Sequence, residues 1–425
     1  MKIGIIGAGF TGLTAGLILQ KKGHQITILE KESVPGGLAV GFRAPGWDWS
    51  LEKFYHHIFT TDHYIRRLGD EVGVKFDFRR PNTSSLIDEE ILQIDSPATV
   101  LFFPKLSMIE RLRMGMVIGY LKYLASWERL EKYTIADWLP KMMGRHAYRI
   151  LWEPLLMAKF SQYANEISLA WFWARVKARS TSLGYPRGGF QHLADSTAAK
   201  IGNMGGQIFY NLAVSQILQA NNQLIVHCQD GQTYYFDKVI FTLSNAALVK
   251  IAPQLPTDYK EKLLSYRGIG AISMVLEFKK PFFRNQVYWL NICNDNYPFL
   301  AAVEQTNMID KTHYHNHHLL YIANYLVPTH RYFQMTDSEL LQEYHPFLNK
   351  LHHGYQNNLL KCYVFKASYA QPIMPVNYSQ RVLPHQTPLK NVYLANMQQV
   401  YPWDRGTNYA VELGEKVSVT LAGDK

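Results

Sequence analysis

Residues 2–30 of the chain read KIGIIGAGFTGLTAGLILQKKGHQITILE, and this stretch decides the fold. The apolar residues 3–6 predict a short buried strand, residues 11–22 predict a helix that Gly23 ends, and residues 25–30 predict a second strand. The glycine turn GAGFTG, residues 7–12, joins the first strand to the helix. This order of strand, G-x-G-x-x-G turn, helix, strand and acidic residue predicts a dinucleotide-binding βαβ unit.

Each glycine of the turn has a physical purpose. Gly7 permits the tight turn, Gly9 lets the backbone approach a pyrophosphate, and Gly12 lets the helix pack closely on the strand. Phe10 and Thr11 begin the helix, whose unpaired N–H groups and partial positive charge favour phosphate. We therefore expect these five residues to contact the cofactor.

The segment after the second strand distinguishes between dinucleotides. Glu30 stands 18 residues after the last glycine of the turn, where a carboxylate can accept hydrogen bonds from ribose hydroxyls. Lys31 follows it, and a glycine pair comes soon after, in Gly36-Gly37-Leu38. A glycine pair at this place is not part of the nicotinamide fingerprint. These residues are further candidates for cofactor binding.

The glycine pair resembles a motif of the flavin-dependent superfamily of amine oxidases, protoporphyrinogen oxidases and phytoene desaturases. Residues 184–190 (GYPRGGF), 205–214, 391–396 (NVYLAN) and 403–410 (WDRGTNYA) resemble other parts of the same pattern. The resemblance covers nearly the whole chain and implies FAD as the cofactor. It also implies further FAD contacts, near the adenine at Val214 and near the flavin at Asp404, Arg405, Gly406, Thr407 and Asn408.

The predicted fold class is α/β, with a Rossmann-like FAD-binding domain of the GR2 type and an interleaved α+β substrate domain. We expect the FAD domain to combine residues 1–60, 187–250 and 388–425, and the substrate domain to combine residues 61–186 and 251–387. The first substrate-domain piece is expected to be mostly helical. The second contains strand-like runs at residues 272–278 and 319–323.

The C-terminal segment predicts a helix over residues 406–421, because Ala410, Leu413, Val417 and Leu421 share one apolar face. Its N-terminal dipole would stabilise negative charge on a reduced flavin. In the family a glycine follows the last strand, whereas this chain has Asn396, which puts the local backbone in doubt. Arg405, just before the helix, is expected either to bind an FAD phosphate or an anionic substrate, or to lie in a surface loop.

Histidines are the candidates for acid–base catalysis. His56 and His57 lie where the family pattern returns to the cofactor, and histidine titrates near neutral pH. The alternative is that one imidazole packs in the FAD domain and the other faces solvent. The denser cluster of His313, His315, His317 and His318 lacks a cysteine, so it favours a polar loop, and we predict no metal site.

The composition excludes several classes of protein. The 425 residues are 47% hydrophobic and 18% charged, which indicates a globular protein of more than one domain. The net charge is +10, but the basic residues are scattered, so no nucleic-acid partner is expected. Three widely spaced cysteines argue against a disulfide framework and predict a reducing, cytoplasmic location.

Residues 106–127 predict a helix with two apolar sides. Its uncharged core, residues 114–121, is too short to span a bilayer. A buried helix of the substrate domain is the favoured interpretation, and the alternative is a helix that dips into the inner face of a membrane.

Together these features predict an FAD-dependent oxidoreductase that transfers a hydride between FAD and an apolar or lipid-linked small molecule, such as a polyprenyl or tetrapyrrole compound. The alternative enzyme is a non-redox mutase that resembles UDP-galactopyranose mutase. A third hypothesis is a non-catalytic protein whose FAD is structural. The substrate, the electron acceptor and the oligomeric state stay open.

Overall fold

The computed structural model describes residues 1–220, 223–294 and 296–423. Its strands, in chain order, are β1 Lys2–Ile6, β2 Gln25–Leu29, β3 Gly41–Phe42, β4 Leu51–Glu52, β5 Ile58–Phe59, β6 Phe76–Arg79, β7 Asn82–Ile87, β8 Glu90–Gln93, β9 Leu183–Pro186, β10 Gln207–Phe209, β11 Val214–Ala220, β12 Gln223–Cys228, β13 Thr233–Phe236, β14 Lys238–Phe241, β15 Gly268–Phe278, β16 Val287–Ile292, β17 Ala301–Glu304, β18 His318–Leu326, β19 Leu359–Pro372 and β20 Val392–Leu394.

Helices α3 to α9 follow one another in sequence between β8 and β9, whereas the other helices are interspersed among the strands. They are α1 Phe10–Lys21, α2 His63–Val72, α3 Pro97–Leu101, α4 Met108–Gly119, α5 Trp127–Leu130, α6 Ile135–Met143, α7 Arg145–Ala147, α8 Glu153–Phe160, α9 Leu169–Ala178, α10 Gly189–Asn203, α11 Asn245–Ile251, α12 Thr257–Leu264, α13 Asp337–Leu351 and α14 Thr407–Gly423. A π-helical turn, Tyr120–Leu124, continues α4.

A parallel five-stranded sheet holds the two ends of the chain together. Its strand order is β10-β2-β1-β14-β20, with Ile3 opposite Ile26 on one side and Lys238 on the other. Helices α1 and α14 pack closely, because a methyl group on Gly414 would lie 2.6 Å from the Thr11 carbonyl oxygen. This sheet and its helices confirm the predicted α/β class.

The second large sheet has seven strands in the order β19-β15-β18-β17-β16-β7-β8. Its pairings are antiparallel except for β16 with β7, which run parallel. The expected strand runs at 272–278 and 319–323 lie in β15 and β18. Helices α3 to α9 pack on this sheet, and together they form a second unit. The helices share an apolar core with residues of β7, β15, β17, β18 and β19.

A buried residue, Glu52, connects the unit of the parallel sheet with the unit of the seven-stranded sheet. Glu52, at the end of β4, accepts hydrogen bonds from the Tyr185 hydroxyl at 2.6 Å and the Phe190 amide at 2.7 Å. Its backbone carbonyl accepts a bond from the Tyr321 hydroxyl of β18 at 2.7 Å. Burial raises the pKa of Glu52 to about 7, against the lowering effect of these donors.

This pKa predicts how stability depends on pH. Between about pH 4.5 and 7 the unfolded chain ionises Glu52 while the folded chain keeps it protonated, so stability falls as pH rises, by up to about 3 kcal/mol. We expect Glu52→Gln to abolish this loss. Urea unfolding of both proteins at pH 5 and pH 8 measures the difference.

Glu128→Gln, on an exposed residue, is the matched control and should leave the pH dependence unchanged. The raised pKa values of Glu304 and Asp62 are present in all three proteins and cancel in the comparison. An identical pH dependence in the wild type and Glu52→Gln would contradict the prediction.

Candidate cofactor-binding and active site

The glycine turn has the backbone that a phosphate site requires. Gly7 has a φ of +104°, which favours glycine, and its amide donates to the Leu29 carbonyl at 2.9 Å. A methyl group on Gly12 would lie 2.1 Å from the Gly7 carbonyl oxygen, so a side chain at this position of α1 would clash with the turn. Gly9 differs, because its φ of −72° suits any residue. A methyl group on Gly9 would have the Cα of Gly37 as its nearest neighbour, at 3.8 Å.

The start of α1 keeps its N–H groups available. No acidic side chain lies in its first turn, and Gly9 brings no capping side chain. The Phe10 and Thr11 side chains are buried, which leaves their backbone at the turn. Glu30 is also buried, and its carboxylate accepts bonds from the amides of Ala8 at 2.6 Å and Glu32 at 2.9 Å. Glu30 therefore fixes the turn from the end of β2.

The glycine pair meets the glycine turn in space. Gly36 and Gly37 have φ values of +128° and +59°, and the Gly36 amide donates to the Ala8 carbonyl at 2.9 Å. A methyl group on Gly37 would lie 3.1 Å from the Cα of Gly9. Gln191 of α10 secures the loop by donating to the Pro35 carbonyl at 3.0 Å. The two glycine motifs thus form one continuous backbone surface.

The remaining predicted residues of this half lie around that surface. Lys31 is exposed and forms an ion pair with Glu32 at 3.2 Å. Leu38 is half-buried beside the glycine pair. Val214 opens β11, and just before it the Leu212 amide donates to the Glu30 carbonyl at 2.8 Å. This bond places the start of β11 beside the residue expected to bind ribose.

The C-terminal motif places the start of α14 beside α2. The Asn408 side chain accepts hydrogen bonds from the amides of Tyr64 at 3.0 Å and Ile65 at 3.2 Å, so it caps α2. Thr407 is buried, Gly406 is exposed, and the first turn of α14 carries no acid. The side chain of Asn408 is thus used to cap α2, and its contact with a flavin stays a prediction.

Asn396 explains how the chain manages without the family's glycine. Its φ of −135° is ordinary extended backbone, so glycine is not needed. Its side-chain nitrogen donates to the Leu243 carbonyl at 2.9 Å and to the Asn245 side chain at 2.8 Å. Asn396 therefore ties the end of β20 to the segment after β14.

Asp404 and Arg405 contact the unit formed by the seven-stranded sheet and helices α3 to α9. Asp404 accepts bonds from the Trp171 indole at 2.9 Å and from Arg175 at 2.7 Å. Although burial opposes ionisation, the nearby cations, Lys159 first, hold the pKa of Asp404 well below its usual range. The Arg405 guanidinium donates to the Gln371 side-chain oxygen at 3.1 Å and to the Tyr325 hydroxyl. The surface-loop alternative for Arg405 is thus wrong, since its guanidinium lies between the two units.

A tyrosine that the sequence did not single out lies at the centre of this contact. Tyr325, near the end of β18, is buried, and the Lys159 ammonium lies 4.4 Å from its ring centroid. Burial would raise the pKa of Tyr325, but Arg405, Lys159 and a hydrogen bond with Tyr55 lower it to about 8. These residues come from four distant segments, so no local pattern could have revealed them.

The predicted catalytic histidines lie next to this group and are both neutral. The His56 Nδ1 forms a hydrogen bond with the Phe54 carbonyl at 2.6 Å, and burial lowers the pKa of His56 to about 4. Burial likewise lowers the pKa of His57 to about 3, and its Nδ1 is buried without a hydrogen-bond partner among the described residues. The His57 ring lies 5.8 Å from that of Trp289. Their catalytic role stays a prediction, and Tyr325 is better matched to proton transfer near neutral pH.

The histidines of the second cluster, at positions 313–318, have separate partners. His317 bonds to Glu277 at 2.6 Å, and His313 stacks on Trp49 with ring centroids 3.7 Å apart. In the part of the chain that the structure describes, no group of three or more histidine, cysteine or acidic side chains could hold a metal ion. All three cysteines are free thiols.

Comparison with known proteins now identifies the family. The family model of flavin-containing amine oxidoreductases matches residues 10–418. The chain belongs to this family. L-amino-acid oxidase of Mus musculus is 23% identical over 312 residues, covering 67% of this chain and 48% of that protein, so the match spans about half of this relative.

Two other similar proteins show the range of the family and its fold. Phytoene desaturase (lycopene-forming) of Pantoea ananas is 23% identical over 283 residues, covering 58% of this chain and 55% of that protein. The structure of reduced UDP-galactopyranose mutase superposes with a TM-score of 0.80 at 15% identity, covering 99% of this chain and 95% of that one. The family membership shows that the protein is an FAD-dependent oxidoreductase, and the superposition shows the shared fold.

The residues present fit FAD. The glycine turn and glycine pair offer a backbone surface without side chains, and two helix N-termini without acids suit a diphosphate and an electron-rich ring. When bound, FAD supplies a ring that accepts or returns a hydride. The protein's part is to position that ring, exclude water and manage protons.

The geometry of Gly9 predicts a separation of folding from cofactor binding. Gly9→Ala should fold normally, because its backbone and its surroundings accept a methyl group. The methyl group would, however, intrude where the pyrophosphate must approach, and we expect FAD affinity to fall at least about 10-fold, since even ~1.4 kcal/mol of steric cost suffices. The FAD content of the purified protein and the Kd of the apoprotein for FAD measure this.

Gly115→Ala is the control, because Gly115 lies within α4 and a methyl group there meets nothing within 4 Å. It should bind FAD like the wild type. Stoichiometric, tightly held FAD in Gly9→Ala would show that the pyrophosphate lies elsewhere.

Proposed function

We propose that this flavoenzyme transfers a hydride between FAD and an apolar or lipid-linked substrate that it takes from a membrane surface. The observation that carries the proposal is an exposed apolar face on the substrate unit. This face, called here the α4 face, has between 51% and 79% of each residue's surface exposed, at Met108, Ile109, Leu112, Met116, Tyr123 and Leu124.

The α4 face follows helical spacing, while the opposite side of the same helix supplies Met114 and Leu121 to the core. A helix that is apolar on its packed side and on its free side is unusual for a surface that faces only water. The exposed arginine Arg113 and lysine Lys141 flank it, a charge that suits an anionic lipid surface. Among the described residues, no helix is long and apolar enough to cross a bilayer.

One short helix connects the α4 face with the Asp404 region. The ammonium of Lys122, in the π-helical turn, donates to the Val176 carbonyl near the end of α9, at 3.2 Å. Trp171 and Arg175 of the same helix bind Asp404. Helix α9 has ten residues and is about 15 Å long. A lipid-linked substrate could therefore remain in contact with the membrane while its reacting end reaches the flavin.

The lining of this region favours apolar groups over protonated amines. The Tyr55 ring lies edge-on to Trp289 at 4.8 Å, and Trp403 stacks on Tyr409 at 5.5 Å. Such rings exclude water and pack against flat or extended hydrocarbon. The nearby cations Lys159 and Arg405 would repel an ammonium group.

Within this arrangement the protein's own residues have distinct tasks. The aromatic side chains orient the substrate and keep water out, which preserves a hydride for the flavin. Tyr325, with its lowered pKa, is placed to hold or release the proton that accompanies hydride transfer. The neutral His56 and His57 contribute no charge to the apolar lining at neutral pH.

Anaerobic titration of the oxidised holoprotein tests the reaction. We expect an apolar hydride donor, with phytoene and protoporphyrinogen as the probes, to bleach the visible flavin band, and we expect benzylamine and putrescine to leave it unchanged. Bleaching by the amines alone would contradict the proposal. Conversion of UDP-galactopyranose by dithionite-reduced protein without net flavin oxidation would favour the mutase.

Flotation with lipid vesicles tests the membrane contact. We expect the holoprotein to float with vesicles that contain phosphatidylglycerol. The double variant Ile109→Glu/Met116→Glu should reduce partitioning at least about 10-fold, because the loss of two apolar side chains from the bilayer costs roughly 2–5 kcal/mol.

The matched control is Leu264→Glu/Val419→Glu, which alters two exposed apolar residues on α12 and α14. It should float like the wild type. Equal loss in both double variants, or no flotation of the wild type, would count against membrane contact through the α4 face.

A further inference from the structure

Two cations near Tyr325 have only neutral partners. Arg405 bonds to Gln371 and to the Tyr325 hydroxyl, both uncharged groups. The Lys159 ammonium lies over aromatic rings, 4.4 Å from the centroid of Tyr325 and 5.6 Å from that of Trp171. Among the described residues, no carboxylate lies within 4.0 Å of the Lys159 Nζ.

One carboxylate, Asp404, lies near this pair, but it cannot balance all the cations around it. Asp404 forms its ion pair with Arg175 at 2.7 Å, and its other oxygen accepts from the Trp171 indole. Three cations therefore surround one carboxylate, which leaves an excess of positive charge in a partly buried place. Such an excess is costly unless a ligand supplies negative charge.

The position of these groups indicates whose charge is needed. Lys159 lies on α8 and Tyr325 on β18, both in the substrate unit. Arg405 stands two residues before α14 but directs its guanidinium to Tyr325 and Gln371, while the diphosphate surface is formed by the glycine motifs. An anion that pairs with these groups would therefore belong to the substrate. The lowered pKa of Tyr325 reflects the same excess of positive charge.

We infer that Lys159, Arg405 and Tyr325 form a subsite for an anionic oxygen group of the substrate, a phosphate or a carboxylate. The inference rests on the proposed function and narrows it to an amphipathic substrate with an apolar body and an anionic head. The Lys159 ammonium and Arg405 guanidinium donate to the anion, and the Tyr325 hydroxyl donates a third hydrogen bond.

Calorimetric titration of the FAD-loaded protein tests the subsite without turnover. The probes are hexyl phosphate, hexanoate and hexyltrimethylammonium, which share one short chain and differ in the head group. We expect at least one of the two anions to bind and the cation not to bind. The anion with the higher affinity indicates whether the subsite prefers phosphate or carboxylate. Lys159→Met should weaken anion binding roughly 10- to 100-fold, as expected for the loss of a charge-assisted hydrogen bond.

Lys350→Met is the matched control, because the Lys350 ammonium also lies over two rings, at 5.9 Å from Tyr297 and 5.8 Å from Phe347, but is exposed. It should bind the anions like the wild type. If Lys159→Met does not yield folded, FAD-loaded protein, Lys159→Gln takes its place, and Lys159→Arg should retain binding.

Unchanged anion affinity in the folded Lys159 variant would overturn the inference, as would equal binding of hexyltrimethylammonium. The two proposals fail separately. A holoprotein that binds hexyl phosphate through Lys159 but whose flavin no donor reduces would keep the subsite and reject hydride transfer. Reduction by an apolar donor without anion binding would do the reverse.

Discussion

The close approach of two backbone segments without side chains is the constraint on which the structure depends. Gly12 must admit the Gly7 carbonyl, and Gly37 must lie against Gly9, so that turn, helix and loop form one surface. Gly414 extends the same constraint to the other end of the chain by letting α14 lie on α1. A cofactor that spans this surface would therefore contact residues from both ends of the chain, which lie close together in space although they are far apart in sequence.

The sequence predicted this part of the molecule because its signals are local. The glycine turn, the glycine pair and the C-terminal helix each follow from a few adjacent residues with a clear steric or dipolar reason. Asn396 shows the limit of such arguments. The family pattern led us to expect glycine there, yet extended backbone makes glycine unnecessary, and the side chain instead links two distant segments.

The region around Asp404 and Arg405 could not be predicted in the same way, because its residues are far apart in the sequence. Asp404 binds Arg175 from 229 residues away, and Arg405 meets Tyr325 from 80 residues away. A lysine in an apolar helix such as α8 carries no sign that its ammonium will lie over tyrosine. His56 and His57 stood out in the sequence by residue type and by their place in the family pattern, whereas burial makes both of them weak bases.

The same interdigitation of segments determines which chemistry the site can support. Asp404 forms its direct ion pair with Arg175, so the one carboxylate is shared among Arg175, Lys159 and Arg405. A protonated amine would add to this excess of positive charge, whereas an anionic head group would reduce it. The fold is shared with enzymes of several reactions, so under our proposal the choice among substrates depends on this local balance of charge.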